Sequence, residues 1–245
     1  MISSPRCLGQ LRAVLHALAL PKDAAEVELR RARCDSMGLH QMNTSGRDDL
    51  KDLLKRFSVR RGLPGQFKLA SGRTSAWYVD GKLTTCRAEA MPLIGKAFID
   101  KIHEHGWPVD AVGGLIVGAD PIVIAIARES LNTERAINAF LVRKEPKKHG
   151  LQKFIEGLED PTGLNVVIID DVCTTGGSTK QAIDAAREAG LKVQGALCLV
   201  DREEGAADLM HELGCPFDWI FTLEELKEAD GAAELAGAYS GRTHG

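Results

Sequence analysis

The sequence predicts an α/β protein, a doubly wound, mainly parallel sheet with a small N-terminal cap of helix plus hairpin. Three observations carry that expectation. Apolar runs VDAVGGLIV, AINAFLV, NVVIIDDV and VQGALCLVD alternate with helical stretches PIVIAIARES, STKQAIDAAREAG and AADLMHELG. The runs are apolar on both faces, as strands are when helices cover a parallel sheet above and below. The polar residues cluster just after the runs, at the carboxyl edge where such sheets bind ligands.

Taken in order, residues 1–46 fit the rest poorly and are expected to be a disordered extension. Within them LRAVLHALALPKDAAEVELRRARC is too short and interrupted for a signal peptide, and Asp23, Glu26 and Glu28 count against a basic transit peptide. Met42 or Met37 then serves as the working start. The functional domain is expected over 47–228, and 229–245, with DGAAELAGAYSGRTHG, as a frayed tail. SGRDDLKDLLKRFSVRRG reads as a helix capped by Ser45 with Asp48, its stripe made of Leu50, Leu53, Leu54 and Phe57. A hairpin follows, Phe67–Leu69 against Ala76–Val79, turned by SGRTS. Residues 88–105 read as a helix with Pro92 in its first turn, and Gly190 as the C-cap of the helix that starts near Ser178.

A net charge of −3 does not suit a nucleic-acid or anionic-membrane binder. Six cysteines with no CxxC pair argue against a zinc site or disulfide scaffold and for a reducing compartment. No apolar run reaches the roughly 18 residues a membrane span needs. A soluble, cytoplasmic protein is expected.

The chemistry concentrates in VVIIDDVCTTGGSTKQAI, residues 166–183. A strand ends in Asp170 and Asp171, and a loop leads into a helix. Backbone N–H groups from Thr174 through Thr175, Gly176 and Gly177 to Ser178 make a nest for phosphate at the helix N-terminus. Neither GxxxxGK[ST] nor a strand followed by GxGxxG is present, so a nucleotide clamp is not indicated. Acids beside a phosphate nest suit a ligand with hydroxyls as well as phosphate, a sugar phosphate. The plain alternative is a strand-to-helix turn with a capping acid.

This stretch resembles the 5-phosphoribosyl 1-diphosphate (PRPP) motif of the type I phosphoribosyltransferases. FLVRKEPKKHGLQKFIEG, by itself a solvated charged loop, is similar to the mobile catalytic loop of the orotate phosphoribosyltransferase family. FKLASGRTSAWYVDGK resembles that family's substrate-binding segment, and the three segments fall in its order over residues 48–228. The resemblance implies a type I phosphoribosyltransferase-like fold and the conversion of orotate and PRPP to orotidine 5′-monophosphate and diphosphate. It implies that Lys147, His149, Asp170 and Asp171 are catalytic, the two aspartates on the ribose hydroxyls and the shell of a Mg2+ ion with no direct protein ligand. Val172, Cys173 and Thr174 to Ser178 would bind the 5′-phosphate end of PRPP. Arg143, Lys144, Lys147, Lys148 and His149 would bind its diphosphate. Arg202 and Thr174 would meet orotate, with Tyr78 and Val79 flanking the base. A homodimer sharing loop 143–156 across subunits is implied too, with no nucleic-acid or membrane partner. The chain departs from the family at Ala70, where many members have lysine, and at Val117 and Gly118, where others have a Tyr-Lys pair. A purine-type phosphoribosyltransferase and a non-catalytic PRPP-sensing regulator are the alternatives.

Overall fold

The structure is a computed structural model that describes residues 44–68, 72–145 and 154–227. The expected extension up to residue 43, Ala70, the loop residues Lys147, Lys148 and His149, and the tail from 228 lie outside the described residues.

Helix α1 spans Thr44–Leu53, so Ser45 lies within it rather than capping it. It passes into a π-helical turn, Leu54–Ser58. There the Thr84 hydroxyl donates to the Leu53 carbonyl (3.3 Å) and meets the Ser58 hydroxyl (2.6 Å). A side chain set against the helical ladder is a usual cause of such widening. Strands β1 (Val59–Arg61), β2 (Phe67–Lys68), β3 (Thr74–Ser75) and β4 (Trp77–Val79) follow.

The expected hairpin is corrected here. β2 pairs with β3, whereas β4 turns back to β1 in the register Val59↔Val79. That register buries both valines in the core. Helices α2 (Lys82–Thr85) and α3 (Met91–Glu104, with Pro92 in its first turn) complete the cap.

The main sheet holds β5 (Ala111–Leu115), β6 (Asn138–Val142), β7 (Ile155–Glu156), β8 (Asn165–Cys173), β9 (Lys192–Asp201) and β10 (Phe217–Thr222). Its order is β10-β9-β8-β5-β6-β7, parallel throughout except for β7. The connecting helices are α4 (Asp120–Ser130), α5 (Gly177–Glu188) and α6 (Ala206–Glu212), and α7 (Leu223–Lys227) follows β10. Gly190 ends α5 as expected: the N–H of Leu191 reaches the Ala186 carbonyl and that of Gly190 the Arg187 carbonyl, both at 3.0 Å.

Alternation along β8 builds two cores. Val167 and Ile169 join Phe98, Ile122 and Phe221 on one face; Val166 and Ile168 join Phe140, Ile183 and Met210 on the other. Each such side chain stabilises by about 1.5–3 kcal/mol on leaving water. The chain moves outward from β5 to β6, then returns to lay β8 on β5's other side. The order reverses between β5 and β8, where open α/β sheets form their ligand crevice.

Candidate active site

Strand β8 delivers the acids to that crevice. Its pairing with β5 ends at Gly113↔Ile168, while pairing with β9 runs on to Cys173↔Asp201. Asp170 and Asp171 are thus held firmly on one side and border an opening on the other.

The two carboxylates are not equivalent. Asp170 is 6% exposed. It accepts hydrogen bonds from the hydroxyls of Ser178 (2.7 Å) and Thr179 (2.8 Å) and from the backbone N–H of Asp171 (3.0 Å). Asp170 thereby ties the strand to the first turn of α5. Asp171 is half-buried, accepts the Val172 N–H (3.0 Å), and lies 3.9 Å from the Lys82 ammonium. It occupies a slot between two glycines. A Cβ at Gly118 would collide with Asp171 Oδ1, and one at Gly81 would stand 2.9 Å from Oδ2.

Burial raises the Asp170 carboxyl to about 6, the charge of Asp171 adds to the rise, and the two hydroxyl donors oppose it. A carboxyl raised on folding contributes stability that is full below its ordinary pKa and is lost as pH rises through about 6. Asp170→Asn removes the ionisation but also replaces one acceptor oxygen with an NH2 donor, so the pH trend is the test. Its thermal midpoint relative to the parent should improve as pH rises from 4 to 8. A midpoint difference that does not change with pH would refute this account of the pair.

The nest follows. Gly176, with φ 78° and ψ 8°, turns the chain into α5, and its carbonyl accepts the Lys180 N–H at 2.8 Å. Thr175, Gly177 and Ser178 are exposed at the mouth, and nothing lies within 4 Å of a Cβ placed on Gly177. Thr174 is half-buried beside them. Two further residues expected to bind PRPP have their side chains packed inward. The Cys173 thiol is buried 3.2 Å from the Thr179 hydroxyl, and Val172 packs against the main core.

Arg202 sits at the end of β9, its N–H on the Cys173 carbonyl (2.9 Å). Its side chain is 3% exposed, with Nε on Glu204 (3.0 Å) and both Nη atoms 3.4 Å from the Trp77 carbonyl. Tyr78 is 41% exposed and stacks on Phe67 with ring centroids 5.5 Å apart. The side chain of Val79, expected beside the base, packs in the core and is 7% exposed.

The ends of the cationic loop meet. β6 and β7 pair as Leu141↔Glu156 and Val142↔Ile155, and the Arg143 N–H reaches the Phe154 carbonyl at 2.9 Å. Arg143 also pairs with Glu156 (3.5 Å), and Gln181 of α5 donates to the Lys144 carbonyl (3.0 Å). The loop base therefore stands against the helix whose first turn forms the nest. Sequence reasoning gave no role to Lys82, Glu204 or the two slot glycines. The only signal was position, each lying just after a strand.

The phosphoribosyl transferase domain family matches residues 88–228. Orotate phosphoribosyltransferase of Aquifex aeolicus is 45% identical over 180 residues, 74% of this chain and 97% of that protein. The chain belongs to the orotate phosphoribosyltransferase family. Solved structures of this family agree in fold. Orotate phosphoribosyltransferase of Mycobacterium tuberculosis in complex with Fe(III) dicitrate is 37% identical with a TM-score of 0.65, covering 75% of this chain and 99% of that one. The same enzyme in complex with PRPP is 35% identical with a TM-score of 0.60, covering 74% and 98%. The type I phosphoribosyltransferase fold expected from the orotate phosphoribosyltransferase resemblance is the one observed.

Proposed function

We propose that this protein transfers the 5-phosphoribosyl group of PRPP to orotate, giving orotidine 5′-monophosphate and diphosphate, a cytoplasmic step of UMP synthesis. The observation that carries the reading is Asp171, seated in its glycine slot beside an open phosphate nest. The names of its relatives supply the acceptor, orotate.

In this reading the backbone from Thr174 to Ser178 holds the 5′-phosphate, and Asp171 takes the ribose hydroxyls. Asp170 acts one step back, fixing Ser178 and Thr179. Arg202 and Thr174 meet orotate, with Tyr78 along the ring. Arg143, Lys144, Lys147, Lys148 and His149 gather on the departing diphosphate, loop 143–156 serving the neighbouring site of a homodimer.

A single open carboxylate fits a Mg2+ ion that keeps most of its shell as water and substrate oxygen. When bound, that ion offsets charge on the diphosphate. The protein's own part is positional. The nest and Asp171 fix the ribose so that the ring nitrogen meets C1′ in line as the bond to diphosphate breaks. Cations placed where negative charge grows favour the transition state over the ground state. A loop closing over the site excludes water that would hydrolyse PRPP.

Protein mixed with PRPP, orotate and Mg2+ should consume orotate and release one diphosphate for each. Excess EDTA should stop both, and added Mg2+ restore both. Diphosphate release without loss of orotate would defeat the transfer reading and leave hydrolysis.

A further inference from the structure

The acid edge of the site poses an electrostatic problem. A phosphorylated sugar carrying a diphosphate is strongly anionic, yet it must lie against Asp171 with Asp170 behind it. Besides Mg2+ and the loop cations, a cation fixed by the fold on that edge would offset the repulsion. Arg202 is tied to Glu204 and the Trp77 carbonyl, and Arg143 pairs with Glu156 at the loop base. Among the described residues, the cation that reaches Asp171 is Lys82.

Its position follows from the local fold. β4 ends at buried Val79, and the Asp80 N–H bonds to the Ser58 carbonyl at 3.0 Å. Gly81, bare of a side chain, lets the turn press against Asp171. Lys82 then opens α2, its backbone N–H on Asp80 Oδ1 at 3.2 Å. Its ammonium lies 3.0 Å from Asp80 and 3.9 Å from Asp171, and its side chain is 47% exposed. The Asp80 hydrogen bond, against some burial, holds the Lys82 pKa above its ordinary value, so the charge is kept. An ammonium has three donors; Asp80 takes one, and 3.9 Å to Asp171 is too long for a second. Donors remain for a ligand.

We propose that Lys82 is a substrate-binding residue whose ammonium, anchored by Asp80, takes an anionic oxygen of the diphosphate end of the sugar phosphate. The assignment follows from the contacts: in the PRPP reading the nest holds the 5′-phosphate and Asp171 the ribose, and Lys82, next to Gly81, lies 3.9 Å from Asp171. Lys82 would thus supply charge in a crevice whose other wall, Val117 and Gly118, carries none. The inference rests on the PRPP reading of the nest.

The test is calorimetric titration, with Mg2+ present and no orotate, of the parent, Lys82→Gln and Lys82→Arg. PRPP and ribose 5-phosphate, which lacks the diphosphate, are the two ligands. Lys82 is half-exposed, so neither variant should move the thermal midpoint appreciably. Lys82→Gln is expected to weaken PRPP about tenfold or more, the loss of one charge-assisted contact. It should leave ribose 5-phosphate within twofold, and Lys82→Arg should recover most of the PRPP affinity. Equal weakening of both ligands would overturn the proposal, because Lys82 would then act by holding Asp171. So would unchanged PRPP affinity in the Gln variant. A parent that binds neither ligand would remove the PRPP reading itself, an outcome distinct from the other two.

Discussion

Asp171→Ala is expected to lower kcat/KM for PRPP by on the order of a hundredfold to a thousandfold, the scale of removing one partner from a desolvated hydrogen-bonded charge. The reason lies in the slot. Gly81 and Gly118 flank the carboxylate so closely that it has little freedom to turn, and the ligand meets it already oriented. Among the described residues its other partners are the Val172 N–H, which stays in the strand, and the half-exposed Lys82. Neither is stranded in the core by truncation, so the thermal midpoint should hold within a few degrees. Steady-state kinetics against varied PRPP, with a thermal melt on the same sample, checks both. A variant that keeps its activity would remove Asp171 from the site. Lost activity with a collapsed midpoint would make its role structural.

Gly176→Ala carries the second large effect, and it strikes folding and binding together. At φ 78° an alanine pays about 1–2 kcal/mol for the left-handed conformation. Its Cβ would also stand 3.3 Å from the Ala206 backbone and 3.0 Å from Met210 Cε. The methionine tip can move aside, but the α6 backbone cannot move without disturbing that helix's packing. Either the strain is kept, or the turn relaxes and the N–H groups of the nest no longer converge. The midpoint should fall by roughly 2–8 °C at that cost, and PRPP should bind at least about tenfold more weakly, the loss of one or more amide contacts. Gly177→Ala is the control. Nothing lies within 4 Å of its added Cβ, so it should leave the midpoint in place. Equal behaviour of the two variants would show that the turn geometry of the nest is not what matters.

Much of this was legible because it is local. The four long apolar runs became β5, β6, β8 and β9, since a strand covered on both faces must be apolar on both faces. The nest was legible because two glycines between a strand and a helix leave the backbone few other courses. What escaped notice depends on distant partners. β1 has three residues at the end of a helical pattern and exists because Val79 pairs with Val59. β7 has two residues and is defined by β6. FDWIFT has a strand's composition, but sequence reasoning assigned no element beyond the helical stretch AADLMHELG, and it became β10 on the edge of β9.

The division of labour between the acids was equally hidden. Adjacent aspartates look alike in a sequence. Alternation along the strand turns Asp170 inward, where Ser178 and Thr179 reach back from α5, and turns Asp171 toward Gly81, Gly118 and Lys82. Those partners come from three separate elements, so only the fold brings them together. The burial of the Val79 side chain was hidden in the same way. Its neighbour Tyr78 faces outward, and the strand's period of two sends Val79 into the core.

The central claim is that this crevice joins PRPP to orotate. The most direct measurement supplies the protein with PRPP and Mg2+ and offers orotate, hypoxanthine, adenine and uracil in parallel, for the parent and for Asp171→Ala. The account predicts that orotate alone is consumed, and that the variant consumes it at least about a hundredfold more slowly. Consumption of a purine with orotate untouched would contradict it, leaving the phosphate nest correctly read and the base pocket wrongly assigned.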